Sequence, residues 1–146
     1  MSEKSSINEV LQDARRKLDR AREGLRSAHD HRSKGLHDVA VFGRAVTTAL
    51  QHLRRYDPEG FDQWYGPWMQ EMDAEPLFTF FNDLRTDVLD KRGASTSPLP
   101  QPPTTAFGLE LADTSFEHLA SLYLDYLEKL LQRAERWFGS SSAHQS

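Results

Sequence analysis

Seven apolar residues near the N-terminus recur at alternating steps of four and three: Ile7, Leu11, Ala14, Leu18, Ala21, Leu25 and Ala28. That spacing is helical and puts all seven on one stripe. Between them stand Arg15, Arg16, Lys17, Asp19, Arg20, Arg22 and Glu23, a solvated face. A chain that opens this way must bury one side of a long helix against other elements. Ser6, with Glu9 three residues on, forms a capping box, so the helix is expected to start near Ile7. The stripe runs out near residue 30.

The same periodicity returns three times. The polar segment 29–34 predicts a turn, and a second helix spans about Gly35 to Tyr56. Its stripe is Leu36, Val39, Ala40, Gly43, Val46, Leu50 and Leu53, widened by Val41 and Phe42, with Gly43 as a point of close helix approach. Asp57-Pro58-Glu59-Gly60 is a turn signal. The third region is aromatic: Phe61, Trp64, Tyr65 and Trp68, then Met69 and Met72. Gly66-Pro67 predicts a kink or a fresh start with Pro67 in a first turn, and Pro76 marks a second break. Leu77, Phe80, Phe81, Leu84 and Val88 continue the apolar face until Lys91-Arg92-Gly93 stops it. Residues 94–106 are too rich in proline for a helix, and 107–111 are expected to form a short strand or lie on the bundle. Asp113, Thr114 or Ser115 caps a last helix that carries apolar residues from Phe116 to Phe138.

These regions predict an all-α fold. The architecture expected is a four-helix up-down bundle with a kinked or broken third helix and a long Pro-rich connection before the fourth. One domain is expected over 6–138, containing the connection 94–114, with disordered ends at 1–5 and 139–146.

Composition removes several functions. The chain of 146 residues has no cysteine, which excludes disulfides, thiolate zinc sites and cysteine nucleophiles. Asp+Glu number 22 against Lys+Arg 18, and a net charge of -4 argues against bulk attraction to nucleic acid. The N-terminus lacks the apolar core of a secretory signal, and no run of apolar residues is long enough to span a membrane, so a cytoplasmic protein is expected. No Gly-rich phosphate loop, nucleophile elbow, HExxH motif or EF-hand loop occurs.

The segment FFNDLRTDVLDKRG, residues 80–93, concentrates the polar candidates. Asn82, Arg85 and Leu89 share one helix face, Asp83 and Asp87 another, and Asp90 and Lys91 stand toward the end. Arg85 lies within reach of the apolar side, where a guanidinium can bind phosphate as a bidentate fork. The bland alternative is that it pairs with a carboxylate of a neighbouring helix. Arg44 on the second helix is a candidate to line a phosphate-sized pocket with Arg85. Arg44 and Gln51 are also candidate polar partners for Trp64 and Tyr65.

Three segments, 39–54, 61–68 and 76–93, resemble the HEPN-like helical bundle superfamily. The resemblance implies a helical bundle whose long helix carries an arginine followed by four to six residues and a histidine, read as a ribonuclease site at a homodimer interface. Arg85 matches the arginine, and Asp83 matches the polar residue before it. The histidine does not match: Asp90, Lys91 and Arg92 stand where it belongs. Asp90 replaces it as proton carrier only with a raised pKa, which Lys91 and Arg92 oppose.

The run HDHRSKGLHD, residues 29–38, offers His29, His31 and His37 as metal ligands, but its spacing matches no known site, and a chance polar loop is preferred. The aromatic set Phe61, Trp64, Tyr65 and Trp68 reads as core before it reads as a base-stacking platform. The function expected from sequence is therefore a non-catalytic helical-bundle interaction protein without cofactors, as a homodimer or with another protein partner. The alternatives are an RNA-processing or nucleotide-binding protein using Arg85, with Arg44, Asn82, Asp83 and Lys91 as binding residues, and a metal-binding bundle.

Overall fold

The computed structural model describes residues 3–28, 32–90, 101–111 and 114–139. Among the described residues the protein is mostly helical, with five α-helices and one two-stranded hairpin. The helices are α1 (Glu3–Ser27), α2 (Arg32–Gln51), α3 (Pro58–Ala74), α4 (Pro76–Asp90) and α5 (Phe116–Ala134). The strands are β1 (Thr105–Ala106) and β2 (Leu109–Glu110).

The α1 stripe is buried as its spacing requires, with Ala14, Leu18 and Ala21 fully enclosed. The helix starts earlier than the capping box suggested, so Ser6 lies inside it and is not its cap. No glycine or proline between Glu3 and Ile7 interrupts the backbone ladder there. α2 likewise starts at Arg32, inside the segment expected to be a turn. It tightens into a 3-10 turn over His52–Arg55. α2 packs against α1, α4 and α5, which explains its broad apolar surface. At the α1–α2 contact, a Cβ on Gly35 would lie 2.5 Å from the Ala28 backbone, so the pair approaches through glycine. Gly43 packs on Tyr123 of α5, where a Cβ would lie 2.4 Å from the ring.

Asp57 caps α3 by accepting from the Gly60 amide, with Pro58 in the first turn. Of the kink or fresh start expected at Gly66-Pro67, the fresh start does not occur, and α3 continues through Pro67. Pro67 is exposed, so the carbonyl it leaves unbonded can reach water. Buried Trp64 and Tyr65 before it and Met72 after it hold both halves to the core.

The real break is at Glu75. This residue is extended, as residues before proline prefer, with φ -88° and ψ 118°. Its buried carboxylate accepts from the Leu77 amide at 3.0 Å and from the Phe107 amide at 2.8 Å. One side chain therefore caps α4 and ties the β1–β2 hairpin to the helix break. The hairpin turns through Phe107 and Gly108, with φ 53° and 80°. Two positive φ values match the twist of an antiparallel pair, here registered Thr105 to Glu110 and Ala106 to Leu109. Phe107 stacks on Tyr126, with ring centroids 5.2 Å apart.

Of the three cap candidates for α5, Ser115 is used; its hydroxyl accepts from the His118 amide. Beyond α5 a wider π-type turn, Glu135–Gly139, delivers Phe138 edge-on to Trp64. α1 and α5 are also joined by charge. Arg15 contacts Glu128 at 2.8 Å and Glu135 at 3.1 Å, and Arg22 reaches Glu128 at 3.3 Å. Burial by itself would raise the Glu128 pKa, but Arg15, Arg22 and Gln132 outweigh it and hold the carboxyl below its usual range.

Candidate functional site

Four cationic or titratable residues stand beside buried positions of their own elements. Lys17 precedes Leu18 on α1, Arg44 follows Gly43 on α2, His52 precedes Leu53 in the 3-10 turn, and Arg85 follows Leu84 on α4. A residue next to the buried stripe points along its edge, and where three elements meet the edges converge. Here they converge on one depression of about 300 Å³. Its floor is small and apolar, Val41, Ala45 and Ala49, and its polar groups include Lys17, Arg44, His52 and Arg85.

Among the described residues Asp13 is the one carboxylate of this lining, and it lies near two cations of its own helix: Lys17 at 3.8 Å and Arg16 at 3.6 Å. Arg44 is exposed and Arg85 half-buried. Neither guanidinium has a hydrogen bond or ion pair with a described residue. The pairing of Arg85 with a carboxylate from a neighbouring helix is therefore not formed among the described residues. Both arginines lie close to the buried Tyr123 phenol. Burial pushes that phenol's pKa up, and the two positive charges pull it partly back. A guanidinium can bind an oxyanion by paired N–H donors, and this depression presents two of them beside the apolar Val41, Ala45 and Ala49.

A second, smaller cleft of about 170 Å³ shares Arg44 with the first. Its polar groups include Gln51, Asp73, Thr79 and Asn82. Burial raises the Tyr65 pKa, and the nearby Gln51 amide and Arg44 charge pull it partly back.

The structure thus brings Arg44 and Arg85 to one site and puts Asn82 on the adjoining cleft. Asp83 is exposed and lines neither depression. The Asp90 side chain, Lys91, His29 and His31 lie outside the described residues. His37 is half-buried on α2, and among the described residues no group of three or more histidines and carboxylates is placed to hold a metal ion. The aromatic set of α3 is core: Phe61, Trp64 and Tyr65 pack on one another and Trp68 on Tyr126.

Lys17, His52, Asp73 and Tyr123 were not singled out from sequence. A signal for His52 existed, because Val41, Arg44, Thr48 and His52 recur at steps of three and four. Nothing in the chain said that this stripe faces Arg85. No protein-family model, no curated protein and no solved structure matches the chain.

Proposed function

We propose that this protein is a non-catalytic helical binding protein whose ligand carries a phosphate or similar oxyanion, held between Arg44 and Arg85. The reading rests on one observation: two arginines from different helices line one depression with Lys17 and His52, and neither has an anionic partner among the described residues. The net charge of -4 sets this local cluster against an acidic whole, which suits a small anion better than a long polyanion. Among the described residues no helix is long and apolar enough to cross a membrane, and the ligand is taken to be a solute of the cytoplasm. The fold is read as an up-down bundle in which α3 and α4 are the two halves of a broken third helix.

Isothermal titration with inorganic phosphate at low salt tests the reading. Binding is expected, and Arg85→Ala or Arg44→Ala weakens it at least about tenfold, as loss of a charge-assisted pair should. No phosphate binding by the wild type, or equal binding by still-folded variants, would overturn it.

A second reading has one observation in its favour. The histidine missing from the segment after Arg85 has a counterpart in space, since His52 lines the same depression. His52 as proton carrier and Arg85 as stabiliser of phosphorane charge would make a ribonuclease site, in keeping with the resemblance to HEPN-like bundles and their homodimers. Cleavage of an RNA panel that is lost in both His52→Ala and Arg85→Ala would establish this reading over the first.

A further inference from the structure

Arg44 is common to both clefts, so a ligand anchored there has a second compartment within reach. The lining of that compartment decides what enters it. Its two tyrosines are almost wholly buried and present no free ring face. Tyr65 is 4% exposed and stacks on Phe61 at 4.9 Å, and Tyr123 is 1% exposed and stacks on Phe81 at 4.3 Å. Phe78 meets Tyr123 edge-on and is itself buried. A heterocyclic base stacks best on a free aromatic face, and these faces are already used. The cleft instead has the exposed Thr79 hydroxyl, the side-chain amides of Gln51 and Asn82, and the carboxylate of Asp73. Amides and hydroxyls both donate and accept, and a carboxylate accepts from two donors. That is the complement of neighbouring alcohol groups. Met69 and Met72 add soft apolar walls for the C–H surface between them. At about 170 Å³ the space is below the roughly 300 Å³ of ordinary drug-sized pockets, which suits one small ring or short polyol.

We infer that the ligand is a sugar monophosphate, with its phosphate between Arg44 and Arg85 and its hydroxyls in the cleft bounded by Gln51, Asp73 and Asn82. This rests on the oxyanion reading above. It adds that Asp73 selects the organic part and takes no share in holding the phosphate.

The test is titration of the full chain with inorganic phosphate, a panel of pentose 5-phosphates and hexose 6-phosphates, and adenosine monophosphate. At least one sugar phosphate is expected to bind ten times or more tighter than phosphate itself. Asp73→Asn, an exposed and nearly isosteric change, is expected to remove that advantage while leaving phosphate affinity within twofold. Arg85→Ala is expected to weaken both ligands. Three results overturn the inference while phosphate binding survives: no sugar phosphate surpasses phosphate, Asp73→Asn leaves the advantage intact, or the adenine nucleotide binds tenfold tighter than ribose 5-phosphate. Failure of every anion to bind removes the oxyanion reading, and this inference with it.

Discussion

Replacing Glu75 with alanine removes an acceptor shared by two backbone amides. The Leu77 amide lies at 3.0 Å in a buried position and the Phe107 amide at 2.8 Å in a partly buried one. Hydrogen bonds to a charged acceptor are each worth about 1.5–3 kcal/mol, and a buried donor left without a partner is penalised by a similar amount. Leu77 is in the first turn of α4 and Phe107 at a hairpin tip, so water recovers part of that loss. A net destabilisation of about 2–4 kcal/mol follows. For a chain of this size, it lowers the melting temperature by roughly 5–15 °C. Glu75→Gln keeps one acceptor oxygen but turns an NH2 donor toward the other amide, so it should fall about midway. Thermal melts by circular dichroism measure both variants. Hydrogen exchange at the Phe107 amide locates the effect, with protection lost first in the hairpin. A Glu75→Ala protein that melts within a degree of the wild type, with the Phe107 amide still protected, would refute the clamp.

Other changes test the remaining supports. Gly43→Ala places a methyl 2.4 Å from the Tyr123 ring, which is held by its stack on Phe81. Overpacking of about 1–3 kcal/mol should outweigh the roughly 1 kcal/mol that alanine gains in a helix, so the urea midpoint falls; an unchanged or higher midpoint would contradict the close approach. Glu128 has a depressed folded pKa, so the stability it supplies is present above the unfolded value of 4.5 and is lost as pH falls through the folded value. The stability gap between wild type and Glu128→Gln should therefore be constant near neutrality and close in acid; a gap independent of pH would dismiss the Arg15–Glu128 link.

Much of the fold is legible in the sequence. The stripe from Leu11 to Ala28 and the run from Leu119 to Leu131 have one period and one outcome, because a helix with one apolar side has few other ways to bury it. Gly43 as a close approach, Ser115 among the candidate caps, and the break at Pro76 are also local chemistry read from local residues. The errors share a cause. Ser6 carries the local signal of a helix start and Gly66-Pro67 that of a kink or a fresh start, yet Ser6 lies inside its helix and no fresh start occurs at Pro67. At Pro67 exposure of the ring and burial of its neighbours on both sides lower the penalty. Glu75 reads in sequence as one more surface acid, but its partner Phe107 stands 32 residues away across the Pro-rich segment.

The candidate site divides in the same way. Sequence by itself determined that Arg44 and Arg85 stand at the margins of apolar helix faces, because the periodicity of α2 and α4 sets each residue's angle about its own axis. It could not determine that these margins face each other, or that Lys17 and His52 join them. That depends on how α1, α2 and α4 pack, which is decided by contacts such as Gly35 on Ala28 and Tyr123 on Gly43. Periodicity is a property of one helix, whereas a binding site is a property of several, and only their packing in three dimensions brings the charges together.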